Sequence, residues 1–217
     1  MELTPVKKIV LLGILLVCAT LGAITAYTLN QTATPPLSLT TSYLYPTKRP
    51  LSQFNLVDQH GQAFTNQHLL HKWSLVFVGY TSCPDVCPTT MAKLAAAVQS
   101  LPPELDLQVI FLSVDPSRDT PDKLLDYVNF FNSDFIGVTA PHAQLLPLTR
   151  ELGFVYAMVG EGENYQVDHS ASMTLISPQG ERYATVKPKL TQLSSLPQIS
   201  TQNLVADLQQ LTANDTL

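Results

Sequence analysis

Hydrophobic positions fall into two regimes along the chain. From Ile9 to about Leu29 nearly every residue is apolar. That is roughly twenty positions, enough to cross a hydrocarbon core of about 30 Å as a helix. Lys7 and Lys8 precede the run, and no lysine or arginine follows until Lys48. This asymmetry puts the short N-terminus in the cytoplasm and the rest outside. Residues 1–30 are therefore read as an uncleaved membrane anchor. A cleaved signal peptide is the alternative, and a lipoprotein signal at Cys18 is disfavoured because Leu16-Val17 supplies no small residue before the cysteine. The segment lacks the Arg- and Ser-rich character of a transit peptide, so a bacterial periplasmic face is expected rather than a mitochondrial one. Residues 31–50 are rich in Thr, Ser and Pro with no hydrophobic period, and are expected to form a flexible linker.

Beyond residue 50 the pattern changes to short apolar runs alternating with helical spacing. A small hairpin is expected around Phe54 to Phe64, turned at Asp58-Gln59-His60-Gly61. Strands follow at Leu75–Val78, Leu107–Val114, Phe135–Val138 and Val155–Met158. A second hairpin pairs Ser172–Ile176 with Arg182–Val186 across Ser177-Pro178-Gln179-Gly180. Helices are expected from Thr89 onward, where Leu94, Ala95 and Val98 share a face, then at Asp122–Phe131, Ala143–Leu152 and Gln202–Leu211. This alternation predicts one α/β domain over residues 51–217, thioredoxin-like in layout, without internal repeats.

The junction between the strand Leu75–Val78 and its helix carries the chemistry. It reads Gly-Tyr-Thr-Ser-Cys-Pro-Asp-Val-Cys-Pro-Thr-Thr from Gly79 to Thr90, with Cys83 and Cys87 four positions apart. Cysteines at a helix N-terminus feel its positive end and form thiolates more easily than a free thiol. Thiolates serve as redox nucleophiles and as soft ligands for copper. The spacing is wider than the Cys-x-x-Cys of thioredoxin-type redox sites. Three intervening residues allow both sulfurs on one face of the first helical turn, about 5–6 Å apart at Cβ. From there they can converge on one ion or close a disulfide after modest adjustment. Two sulfurs leave most metal sites incomplete, and His169 in Val167-Asp168-His169-Ser170 is the best third ligand, because it sits just before the late hairpin. His60, His68, His71 and His142 fall in turns, loops or the flanks of a surface helix and read as ordinary polar residues.

Three segments together, GYTSCPDVCPTT, SVDPSRDTP from Ser113 to Pro121 and VDHS from Val167 to Ser170, resemble the Sco/SenC family over roughly Leu51 to Leu211. Members of that family are membrane-anchored, thioredoxin-like copper proteins. The resemblance implies copper, as Cu(I) or Cu(II), held by Cys83, Cys87 and His169. It also implies a role in maturing the binuclear copper centre of cytochrome c oxidase. The partner would be the copper-bearing subunit of that oxidase, with other periplasmic copper chaperones or thioredoxin-like reductants as further candidates. The competing role within the same family is a thiol–disulfide oxidoreductase in which Cys83 and Cys87 form a redox-active disulfide.

Asp85, Asp115 and Asp119 are candidates to support the ligands, since a carboxylate on the free imidazole N–H would orient His169. Asp119 also suits a helix cap before Thr120-Pro121. Met91, Met158 and Met173 are expected to pack in the core. The net charge is −5, and without the anchor segment, which holds Glu2, Lys7 and Lys8, it is near −6. Such a balance argues against nucleic acid or an anionic lipid surface as partner. The sequence has no phosphate-cradling Gly-rich loop, no Ser–His–Asp signature and no zinc-type pair of Cys-x-x-Cys motifs.

Overall fold

A computed structural model of the protein describes residues 4–31, 37–162, 165–188 and 198–213. The chain forms two compact units, one up to Leu37 and one from Ser38 onward. The first is helix α1, Pro5–Gln31, whose stretch Pro5–Tyr27 has a mean hydropathy of 2.6 and is long enough for a membrane span or a signal segment.

The second unit is built on an eight-stranded sheet in the order β1-β10-β9-β4-β5-β6-β2-β3. Its centre is β4 (Trp73–Gly79), parallel to β5 (Leu107–Ser113), which in turn runs parallel to β6 (Ile136–Thr139). These strands read as continuous apolar runs because both faces are covered. On one face Val76, Val78, Ile110, Leu112 and Val138 join Leu145, Leu148 and Leu152 from helix α4 (His142–Glu151) and its end. On the other lie Phe77 and Phe111, both fully buried, beside α2 (Val86–Ser100) and α3 (Pro121–Phe131). Gly137 is small because an added Cβ there would come within 3.2 Å of Leu124 and Val128 of α3. Helix α5 (Thr201–Ala213) packs on α2. The antiparallel hairpin of β9 (Met173–Ile176) and β10 (Glu181–Val186) attaches to β4 as expected. The hairpin of β2 (Asn55–Asp58) and β3 (Ala63–Thr65) joins the other side through β6.

Two elements depart from the sequence reading. Residues 42–50 of the expected linker form strand β1 (Ser42–Pro50), paired antiparallel with β10 at the sheet edge. An edge strand tolerates Pro46 and Pro50, since one side of its backbone needs no ladder partner. Its entry is fixed by the buried Asp207 of α5, whose carboxylate accepts from the backbone N–H groups of Thr40, Thr41 and Ser42 at 2.7–2.8 Å. Residues 32–36 of that linker lie outside the described residues. The second departure is a separate two-stranded ribbon, β7 (Tyr156–Val159) with β8 (Gln166–His169), in register Tyr156 to His169 and Met158 to Val167. Only β7 was expected, and Met158 on it is 40% exposed, unlike the buried Met91 and Met173.

Candidate metal centre

Parallel pairing of β4 with β5, Gly79 opposite Ser113, delivers the cysteine turn and the Asp115–Thr120 loop to the same edge of the sheet. Strand-end loops on one edge are where an α/β sheet collects its ligands. Helix α2 starts at Val86, three residues earlier than expected, because Pro88 falls in the first turn, where its missing N–H has no intrahelical partner to lose. Cys87 therefore belongs to the helix, whereas Cys83 sits in the preceding turn, closed by its N–H donating to the Tyr80 carbonyl at 3.3 Å. The two sulfurs approach across that turn rather than along one helical face. Cys87 is fully buried and Cys83 is half-buried.

His169 comes from the far end of β8, 82 residues after Cys87, with its Nε2 3.3 Å from the Cys87 Sγ. The ring meets Phe77 and Tyr80 edge-on, with centroids 6.2 and 6.1 Å away. Its Nδ1 lies 3.0 Å from the Ser170 carbonyl oxygen. A carbonyl only accepts, so this hydrogen bond keeps the proton on Nδ1 and turns the Nε2 lone pair toward the thiols. The ligand atoms of Cys83, Cys87 and His169 all lie within 4.8 Å of one another. Bonds of about 2.0–2.3 Å to one ion would bring such atoms to within about 4.6 Å, so the donor set is close to closing on a single ion.

Proximity splits the two thiols. The hydrogen bond from Cys87 holds the Cys83 thiol far below the ordinary range, to about 3, against the opposing effect of partial burial. Cys87 is pushed up by the same contact, by burial and by the charge on Cys83. An open groove of about 490 Å³, lined among others by Tyr80, Cys83, Pro84, Asp85, Asp168 and His169, gives access to the site.

The three aspartates take other places. Asp85 stands at the N-cap position of α2, where its side chain makes no capping hydrogen bond, and is exposed. Asp119 does not cap α3: Thr120 does, accepting from the Lys123 N–H. Instead the buried Asp119 carboxylate accepts from the Thr81 backbone N–H and hydroxyl at 2.9 and 2.6 Å and from the Ser113 hydroxyl at 2.6 Å. That ties the cysteine turn to the end of β5. Asp115, also buried, accepts from Arg118 and from the Tyr165 hydroxyl. The imidazole is oriented by a backbone carbonyl, and the Asp115 and Asp119 carboxylates brace loops. Tyr80, Arg118 and Tyr165 were not singled out in the sequence. The alternation Tyr165-Gln166-Val167-Asp168 beyond the Gly160-Glu161-Gly162 turn was the available sign of the ribbon that presents His169.

A family model described as SCO1/SenC matches residues 45–202. The chain belongs to the SCO1/SenC family. A Stutzerimonas stutzeri protein named for copper binding is 38% identical over 151 residues, covering 68% of this chain and 74% of that one. Among solved structures, apo Sco1 from Thermus thermophilus aligns at TM-score 0.67 and 30% identity, covering 81% of this chain and 99% of its own. Arabidopsis thaliana ScoI with copper bound aligns at TM-score 0.60 and 31% identity, covering 73% and 98%. The fold is thus the thioredoxin-like Sco fold, preceded by a long apolar helix, and the Cys-Cys-His cluster sits at the edge of its central strands.

Proposed function

We propose that this Sco protein is a membrane-anchored copper metallochaperone that helps assemble the binuclear copper centre of cytochrome c oxidase. The convergence of two sulfurs and one imidazole nitrogen within 4.8 Å carries the reading, because thiolates with imidazole suit Cu(I) and can also hold Cu(II). The solved copper-bound Sco from Arabidopsis thaliana supports it. Copper is the cargo. Cys83, Cys87 and His169 hold it, and partner ligands reach it through the groove beside Cys83 and take it by stepwise exchange. Exchange with an incoming disulfide, which accepts two electrons and leaves as two thiolates, converts the two copper-bound thiolates to a Cys83–Cys87 disulfide and leaves His169 as the one remaining ligand, so the copper departs. The apolar helix anchors the domain in a bacterial inner membrane, with its N-terminus cytoplasmic and the copper domain in the periplasm. The copper-bearing oxidase subunit is the acceptor.

A second reading rests on the division between the thiols. A half-exposed, acidic Cys83 beside a buried, basic Cys87 matches the attacking and resolving thiols of a disulfide reductase. The two roles part at His169. Copper titration of the reduced full chain in detergent, beside His169→Ala, is the test. A metallochaperone binds one ion with sulfur-to-copper charge-transfer absorption, and the variant weakens binding more than tenfold while keeping disulfide exchange. No tight binding by the wild type, with rapid exchange, moves the assignment to the reductase.

A further inference from the structure

The ribbon that carries His169 lies outside the main sheet: β8 pairs with β7, and β7 with β8. Tyr156 meets His142 of α4 and Gln166 meets Tyr80, but the most elaborate attachment to the rest of the domain is at Tyr165, the residue immediately before β8. The Arg118 guanidinium stacks 3.8 Å from the Tyr165 ring centroid and donates from Nη1 to the Tyr165 carbonyl at 2.9 Å. The Tyr165 hydroxyl donates to Asp115, which also accepts from Arg118 Nε. Ring, hydroxyl and carbonyl of one residue are thus gripped by a single loop, Asp115 to Arg118. The loop is itself locked by the Arg118 and Asp119 N–H groups on the Asp115 carbonyl. Asp115 is fully buried, so the grip forms as a unit, because losing a partner leaves a buried charge undercompensated.

We infer that Asp115, Arg118 and Tyr165 form a clamp that positions His169 against the thiols, acting through the backbone of β8 rather than on the imidazole. His169 lies four positions beyond Tyr165, about 13 Å of extended chain, and Val167 between them is buried in the core. The next handhold, Gln166, accepts from the Tyr80 hydroxyl at 2.7 Å, and Tyr80 also packs on the His169 ring. Past His169, the Ser170 N–H donates to Val155 of the same ribbon. Release at Tyr165 therefore lets ribbon and imidazole drift together while the cysteine turn, held by Asp119, stays. The clamp rests on the proposed copper site only for its consequence, not for its geometry.

Tyr165→Phe removes the hydroxyl and spares ring and carbonyl, so it tests the clamp without emptying the space. In metal-free full-length protein, amide hydrogen exchange should quicken by roughly tenfold or more across Tyr156–Ser170 and stay unchanged in β4 and β5. Unchanged exchange, or a uniform increase over the domain, overturns the clamp. In copper titrations the variant should bind about tenfold more weakly, and this loss should vanish in a His169→Ala background. A loss that persists there overturns the positioning role, as does no loss where the wild type binds. If the wild type takes up no copper, the function proposed above falls, and the exchange result alone decides the clamp. Arg118→Lys, which keeps the charge but not the planar stack and fork, should reproduce the exchange effect.

Discussion

The two halves of the candidate centre are held in different ways. The thiols come from the turn after the wholly buried strand β4 and from the first turn of the fifteen-residue helix α2, and the turn is tied to β5 through Asp119. The imidazole comes from a two-stranded ribbon that, among the described residues, pairs with no strand of the main sheet and is held by side-chain contacts to the Asp115–Arg118 loop, to Tyr80 and to His142. Covalent proximity and helix geometry place the sulfurs, so a change there acts on the ligand itself. Side-chain contacts place the nitrogen, so its position can be loosened without touching a ligand. A two-isolated-strand ribbon is marginally stable in water, which is why its attachments matter.

The largest effect should come from breaking the thiol half. Cys87→Ser replaces a soft sulfur with a hydroxyl, and competition with a chelator should show a loss beyond the roughly 10–100-fold expected for removing an outer-shell partner. Gly79→Ala comes next. An added Cβ would lie 2.8 Å from both the Cys87 Sγ and the Phe111 ring, two fully buried groups. Overpacking of this kind costs about 1–3 kcal/mol, seen as a lower denaturant midpoint, and copper binding should weaken because Cys87 itself is displaced. The smallest effect sharpens the contrast between the thiols. Alkylation of the reduced, metal-free protein should fall on Cys83 and keep its rate down to about pH 5. The thiolate is the reacting form and the Cys83 pKa is lowered, so reactivity is lost only as pH falls toward that value. An ordinary thiol, titrating near 8.5, would be on the order of 10³-fold less reactive at pH 5 than at its plateau.

How much of this was legible follows from where the information resides. The central strands were readable because Leu75–Val78 and Val109–Leu112 are apolar on both faces, which only a covered sheet explains. Strand β1 was not, because Ser, Thr and Pro carry no periodicity. It exists through pairing with β10 and through Asp207, 165 residues or more away in sequence. The start of α2 was set too late because a proline in a first turn looks like a stop until its position is known. Cys83, Cys87 and His169 were legible through spacing and resemblance, and the structure brings their ligand atoms together. The aspartates were not. A sequence cannot show that Thr120 takes the cap and frees Asp119 for Thr81, nor that Asp115 points at Tyr165, fifty residues on.

The Ser170 carbonyl has a consequence for protons. Because Nδ1–H donates to that oxygen, the nitrogen of a neutral ring that faces the thiols is Nε2 with its lone pair. Cys83 is already a thiolate near neutral pH, while Cys87 keeps its proton. Of the two thiols only Cys87 still carries a proton, so in the proposed copper site it is the more buried thiol that gives one up on loading.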